Sequence, residues 1–446
     1  MPTHPSFEYL LVAAVAAAGS YLATPIARAI AVRWGAIARP RDRDVHAVAI
    51  PRLGGLALLV GLALALFTAQ QLPTLKDAFQ QPTEIPWILV AAGMIFLLGA
   101  LDDRYELDSL TKLAGQVAAS GVMVTLGGVQ LTEVYLPWGV SNLELGQDLG
   151  IPVTIVLTVL TINAINFIDG LDGLAAGVTA IAALAFFTYS YHLGQGSELS
   201  IAAPPTLLAA VLAGTCVGFL PHNFFPARIF MGDSGSMLVG LMLSAAATTA
   251  TTNATSPGVF DGAVGTLPLT LPLLIPLAVL ALPFIDLVLA VIRRIGHGHS
   301  PFAPDKRHLH HRLLELGHSH RRAVLLLYFW SALLAFGGAA VSIFRSTTGL
   351  AWGIGGGALV GLLLVVVPRL HALTRRRRAA AGRASAQRIN GAPPRAAEHG
   401  AATTVSVHAV VPGLSHATPE SLNPPVSEPV TAPPSVPPAD DGRRAI

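Results

Sequence analysis

Charge is scarce in this sequence. Of its 446 residues only 12% are Asp, Glu, Lys or Arg, against about 25% in an ordinary soluble domain. Too little polar material is present to cover a water-soluble globule of that length. A soluble enzyme, a disordered scaffold and a nucleic-acid-binding domain are therefore all disfavoured. Cysteine is nearly absent as well. The single Cys216 excludes an internal disulfide, and its apolar surroundings read as a small core residue. What the chain has instead is apolar residues, 52% of the total, and a mean hydropathy of +0.60. That profile belongs to an all-α, polytopic membrane protein.

A span needs about 20 apolar residues. Eleven segments qualify: 7–28, 53–71, 86–101, 113–128, 150–168, 174–194, 201–221, 236–253, 267–292, 323–344 and 350–368, with 86–101 and 113–128 short. The loops between them alternate in character. One set carries Arg33 to Arg52, then Arg104 and Lys112, then Arg228, then the basic residues from Arg293 to Arg322. The other set holds only Lys76 and Arg345. The positive-inside rule then places the N-terminus outside and the C-terminus in the cytoplasm, as an odd number of spans requires. No Lys or Arg precedes Arg28, so the first segment lacks the basic region of a signal peptide and reads as a span.

Composition shifts after the last segment. Residues 1–370 form the membrane body. Residues 371–446 are rich in Pro, Ala and Ser with few large apolar side chains, and read as a disordered cytoplasmic tail. The run Arg375 to Arg378 beside the last span suits anionic lipid headgroups.

Four inner loops concentrate the polar residues. The first holds Asp102, Asp103 and, after ten residues, Lys112. Two adjacent carboxylates at a membrane edge repel unless they share a cation or a proton. They suit Mg²⁺, a phosphate-bound metal or a general base, with a solvated loop as the plainer alternative. The second holds Asn163, Asn166, Asp169 and Asp172, which helical spacing sets on one stripe, with Gly170 and Gly173 permitting a sharp turn. The third, Gly232-Asp233-Ser234-Gly235, opens a span. It offers backbone amides to an anion and a carboxylate to a metal, or serves as a helix cap. The fourth, 293–322, contains Arg307, His308, His310, His311 and Arg312. Zinc would prefer a closed site with cysteine, and none is near, so imidazoles and guanidiniums together read better as a phosphate clamp.

Five motifs in order resemble the polyprenyl-phosphate N-acetylhexosamine-1-phosphate transferases, the MraY/WecA/TagO family. They are Pro-Arg-Leu-Gly-Gly at 51–55, the Asp-Asp…Lys loop, Asn-x-x-Asn-x-x-Asp-Gly-x-Asp-Gly at 163–173, Phe-Met-Gly-Asp-Ser-Gly-Ser at 230–236, and the Ser-Pro-Phe-x-Pro-Asp…His-Leu-His-His-Arg loop at 300–312. The likeness covers about residues 5–370. It implies that a cytoplasmic UDP-N-acetylhexosamine gives its sugar 1-phosphate to a polyprenyl phosphate of the inner leaflet, releasing UMP. It implies Mg²⁺, or Mn²⁺ in its place, held by Asn166 and Asp233, with Asp102 and Asp103 as the catalytic acidic pair. Lys112 falls on the family's lipid-phosphate lysine. Asn163, Asp169, Asp172, Arg307, His308, His310, His311 and Arg312 fall on substrate-binding positions.

Pro-Arg-Leu-Gly-Gly and His-Leu-His-His are similar to the WecA/TagO branch, which implies UDP-N-acetylglucosamine, an undecaprenyl or decaprenyl acceptor, and a start to cell-envelope glycan synthesis. The alternatives are the muramoyl-pentapeptide reaction of the MraY branch and a lipid-linked-sugar transporter. A transporter would place its charges at the bilayer midplane in repeated halves, and neither feature is visible here. The resemblance also implies a bacterial plasma membrane, and a homodimer is compatible with it.

Overall fold

The computed structural model describes residues 5–38, 49–79, 84–134, 143–195, 199–254, 274, 319–343 and 353–361. Almost all regular structure there is helical: α1 (Pro5–Trp34), α2 (Gly54–Gln70), a 3₁₀ turn (Leu75–Phe79), α3 (Glu84–Tyr105), α4 (Ser109–Thr125), α5 (Gly146–Ile168), α6 (Leu174–Gln195), α7 (Leu199–Asn223), α8 (Gly232–Ala254) and α9 (His320–Ile343). Residues 353–361 are also helical. Two antiparallel ribbons join β1 (Ile37–Ala38) to β2 (Ile50–Pro51) and β3 (Glu133–Val134) to β4 (Leu143–Glu144).

Helices α1 to α9 overlie nine of the eleven apolar segments. Segment 267–292 apart from Leu274, most of 350–368, and the tail with Arg375 to Arg378 lie outside the described residues. Among the described residues, six helical stretches are long and apolar enough to cross a bilayer: Ser6–Trp34, Glu84–Tyr105, Gly146–Ile168, Leu174–Gly194, Pro204–Asn223 and His320–Val341. The protein is a mostly helical, multi-pass membrane protein. Large apolar side chains such as Leu10, Leu22, Phe67, Leu97, Leu110 and Val156 face outward. Water would penalise that surface, whereas lipid tails solvate it.

One helix end and one expected stripe differ from the sequence reading, the start of α8 agrees with it, and all three bear on the site. Helix α3 runs on to Tyr105, so Asp102 and Asp103 stand in its last turn, not in a loop. Helix α8 begins at Gly232, which puts Asp233 and Ser234 in its first turn. Helix α5 stops at Ile168, and Asp169 caps it with φ −75° and ψ 41°. The stripe expected from Asn163 to Asp172 is therefore broken after Asn166, because the Gly170–Gly173 turn redirects the chain before a further helical step is made.

Lipid offers apolar helices no hydrophobic reason to associate, so close packing and internal hydrogen bonds carry the assembly. α1 lies against α2 and α7, α6 against α7 and α9, and α8 against α3 and α5. Buried hydroxyls bond back to their own helices: Thr24 Oγ1 to Ser20 O at 2.6 Å, Thr215 Oγ1 to Val211 O at 2.7 Å, and Ser190 Oγ to Phe186 O at 2.9 Å. Thr158 and Ser244 hydroxyls meet at 2.8 Å between α5 and α8. The buried Glu8 of α1 accepts from Thr74 N at 3.0 Å, Thr74 Oγ1 at 3.1 Å and Leu75 N at 3.1 Å. It thereby caps the 3₁₀ turn and satisfies donors that lipid could not.

The α1–α2 contact is set by a missing side chain. A Cβ at Gly61 would stand 2.7 Å from Ala16 O and 2.9 Å from Ser20 N. Backbone cannot yield there as a flexible side chain would. Gly61→Val is expected to cost about 1–3 kcal/mol or more by overpacking, read as a lower Tm of the detergent-purified protein. An unchanged Tm would overturn this account of the interface.

Candidate active site

Four segments meet at one end of the bundle: the end of α3, the start of α4 that follows it, and, more distant in sequence, the end of α5 and the start of α8. A backbone strap brings α8 into place. Phe230 N donates to Pro51 O at 2.9 Å, Gly54 N to Phe230 O at 3.1 Å, and Gly55 N to Met231 O at 3.2 Å. Arg52 and Phe230 form a parallel bridge. A Cβ at Gly54 would lie 2.7 Å from Phe230 O, so the glycine permits this approach. The Pro-Arg-Leu-Gly-Gly motif thus ties the start of α2 to the residues that lead into α8.

Lys112, in the first turn of α4, is the centre of the site. Its Nζ donates to Asp102 Oδ2 at 2.9 Å and also to Asp233 Oδ2. Asp102 is held in turn by Leu107, whose amide donates to its Oδ1 at 2.9 Å. All three side chains are partly buried, which strengthens each attraction relative to open water. The other Asp233 oxygen, Oδ1, accepts from Asn166 Nδ2 at 3.0 Å, and the same Nδ2 donates to Ser236 Oγ at 2.9 Å. Carboxylates from α3 and α8, a carboxamide from α5 and an ammonium from α4 therefore form one network. Helix α4 itself is started by Asp108. Its Oδ1 accepts from the Leu110 and Thr111 amides at 3.0 Å each, and the Thr111 hydroxyl bond holds its carboxyl below the usual range.

The other predicted positions divide. Asn163, one turn back from Asn166, donates from Nδ2 to Gln116 Oε1 at 2.7 Å and to Val159 O at 2.8 Å. It borders the network through Gln116, one turn after Lys112. Asp169 lies within the field of the carboxylates. Burial first, then the charges of Asp233 and Asp103, hold its carboxyl well above the usual range, with Arg52 opposing. Asp172 points elsewhere: it is buried and its Oδ2 accepts from Ala227 N at 2.9 Å. Asn223 holds the same turn, accepting from Gly173 N at 3.1 Å and donating to Ile229 O at 3.0 Å. Tyr328 of α9 donates its hydroxyl to Gly173 O.

Asp103 also differs from its neighbour. Both its oxygens accept backbone amides of α8, Asp233 N at 2.8 Å and Ser234 N at 3.1 Å. Arg307, His308, His310, His311 and Arg312 lie outside the described residues. Three residues at the site, Gln116, Ser236 and Arg52, are not among the positions expected from the sequence. Gln116 carries a signal, since a carboxamide within an apolar span, four residues after a membrane-edge lysine, is costly unless partnered. Ser236 and Arg52 lie inside two of the five motifs, but nothing in those motifs gives either side chain a partner.

The donor chemistry suits a hard divalent cation. Asp102, Asp233 and the Asn166 carboxamide carry oxygen donors, and no thiolate takes part in the network. Among the described residues, no three carboxylate, imidazole or thiolate groups converge into a ready-made cage. Mg²⁺ needs no such cage, because it is commonly held by one or two carboxylates together with substrate phosphate oxygens and water. The ammonium of Lys112 between Asp102 and Asp233 marks the same electrostatic demand for positive charge.

Comparison with known proteins adds an independent line. Residues 85–251 match the family described as Glycosyl transferase family 4. The decaprenyl-phosphate N-acetylglucosaminephosphotransferase of Mycolicibacterium smegmatis is 48% identical, over 82% of this chain and 90% of its own. Its counterpart of the same name in Mycobacterium tuberculosis is also 48% identical over 82% and 90%. The undecaprenyl-phosphate alpha-N-acetylglucosaminyl 1-phosphate transferase of Yersinia pestis is 30% identical, over 70% of this chain and 78% of its own. With such coverage the likeness is not confined to one motif. The chain belongs to glycosyl transferase family 4, in the WecA/TagO-like branch that its motifs resemble.

Proposed function

We propose that this protein transfers N-acetylglucosamine 1-phosphate from UDP-N-acetylglucosamine to a polyprenyl phosphate, decaprenyl or undecaprenyl, and releases UMP. The observation that carries this reading is Lys112 held between Asp102 and Asp233 where α3, α4, α5 and α8 come together. A membrane-edge cation facing carboxylates is costly unless used, and two phosphate substrates give it a use. In the reaction an oxygen of the lipid phosphate bonds to the sugar-bearing phosphorus, and the bond to the UMP oxygen breaks. The lipid phosphate is already ionised, so little general-base strength is required.

Lys112 binds the lipid phosphate as a compact point charge. Asp102 orients it through the 2.9 Å contact. Asp233 and Asn166 would hold Mg²⁺, with Mn²⁺ as a substitute. The metal, when bound, supplies neutralisation of the pyrophosphate charge and of the departing UMP. The histidine loop, with Arg307, His308, His310, His311 and Arg312, contacts the phosphates of the nucleotide sugar. The basic residues of the loops support eleven spans, with the N-terminus outside and both the C-terminus and this site cytoplasmic, in a bacterial plasma membrane.

The test is UMP release by purified protein given UDP-N-acetylglucosamine, other nucleotide sugars, Mg²⁺ and a polyprenyl phosphate. N-acetylglucosamine should be preferred. Asp233→Asn and Asn166→Ala should each lower kcat at least about 100-fold at low Mg²⁺, with insertion intact. Near-normal activity there would overturn the ligand assignment. Lys112→Ala should raise KM for the lipid about tenfold, the loss of one charge-assisted contact, and raise KM for the nucleotide sugar less. His311→Ala should do the reverse or lower kcat. A Lys112→Ala variant altered only in its nucleotide-sugar KM would refute the division of labour.

Residues 1–370 are read as the catalytic body and 371–446 as a tail. Deleting 375–446 should leave turnover in detergent unchanged and weaken retention on anionic vesicles, since Arg375 to Arg378 are removed. Loss of most turnover would make the tail part of the site.

A further inference from the structure

Asp102 and Asp103 look like one acidic pair in the sequence, yet the structure gives them different work. Successive residues on a helix are rotated by about 100°, so neighbours in α3 cannot face the same target. Asp102 turns to Lys112. Asp103 turns to α8, where its Oδ1 accepts Asp233 N at 2.8 Å and its Oδ2 accepts Ser234 N at 3.1 Å. With 8% exposure it is sealed in that contact.

The surroundings are built around this carboxylate. Gly232 has φ +70°, and a Cβ there would lie 2.5 and 2.6 Å from the two Asp103 oxygens. The carboxylate therefore fills the space that any side chain at 232 would need. Gly99, one turn earlier on α3, lets the helices touch: a Cβ there would lie 2.5 Å from the carbonyl carbon of Asp233. Asp233 is consequently gripped through its backbone by α3, while its side chain reaches Lys112 and Asn166.

We propose that Asp103 is a positioning residue: a helix cap that α3 supplies to α8, aiming the Asp233 side chain at Lys112 and Asn166. An N-terminal cap normally comes from the helix's own chain just ahead of it. Here the residue just ahead of α8 is Met231, whose side chain offers no oxygen acceptor, and the acceptor arrives from another helix. The proposal rests on the reading of Asp233 as a site carboxylate. Its first test does not need turnover.

Hydrogen exchange of the full-length protein in nanodiscs reads the two amides directly. Asp103→Ala should speed exchange at Asp233 and Ser234 about tenfold or more, by loss of a charged acceptor, with the middle of α8 unchanged. Asp103→Asn should show partial protection, because one carboxamide oxygen can still accept. Gly232→Ala should also lose protection although the carboxylate is retained, and Asp102→Asn should keep it. In turnover, Asp103→Asn should retain about tenfold more kcat than Asp103→Ala, and both limbs of the pH–rate profile should persist. Wild-type exchange at both amides in Asp103→Ala would overturn the proposal. So would equal inactivity of the Asn and Ala variants with one limb of the pH profile lost, which is the signature of a proton carrier. If wild-type protein failed to use N-acetylglucosamine, the functional reading would fall and the exchange result would still decide the role of Asp103.

Discussion

The meeting of two helix ends governs this site. Helix α3 carries Asp102 and Asp103 in its last turn, so it places two carboxylates at the end of a helix whose own dipole is already negative. Alone, that arrangement is unfavourable. It persists because α8 begins against it, and the first amides of α8 donate to Asp103. The positive end of one helix dipole offsets the negative end of another, while Lys112 offsets Asp102. Charged hydrogen bonds of this kind contribute about 1.5–3 kcal/mol each. They matter more than their number indicates, since either partner alone would be a buried, unsatisfied group.

From that junction the remaining contacts follow as supports. The strap at Pro51, Gly54 and Gly55 fixes the approach of Phe230 and Met231, and so sets where α8 starts. Asp172 and Asn223 hold the turn between 223 and 229 from the other side. Tyr328 links α9 to the Gly170–Gly173 turn. Two of the sequence's most conspicuous motifs therefore act partly as scaffolding. Pro-Arg-Leu-Gly-Gly supplies backbone and close approach, and the last Asp-Gly of Asn-x-x-Asn-x-x-Asp-Gly-x-Asp-Gly supplies a carboxylate to the Ala227 amide.

Much of this architecture is legible in the amino-acid sequence. Low charge and long apolar runs announce the membrane helices, and α1 to α9 fall where those runs lie. Lys112, Asp102, Asn166 and Asp233, each expected at the site from its motif, are joined in one hydrogen-bonded network. Partners distant in sequence are not legible in the same way. Asp172 reaches an amide 55 residues away, and Asp103 reaches one 130 residues away. Hydropathy also ends α3 too early, at 101, because a carboxylate pair looks like the start of a loop. The helix continues because α8 and Lys112 satisfy those charges in place. The same blindness to tertiary partners makes Asp102 and Asp103 look equivalent and makes the Asn163–Asp172 stripe look continuous.

Placing the site at helix ends also answers a problem specific to membranes. A lone charge in mid-span would need a polar partner deep in hydrocarbon, whereas helix ends bring their own unsatisfied amides and carbonyls. Those groups are rigid, so they orient charge without the rotamer entropy that long side chains lose on ordering. Asp233 shows the consequence. Its backbone is held by Asp103, which leaves its carboxylate committed to Lys112 and Asn166. A site that must present cationic and anionic groups to two phosphates at a lipid surface gains more from such fixed partial charges than from additional flexible lysines. Electrostatic preorganisation of this kind keeps the reorganisation needed at the moment of reaction small.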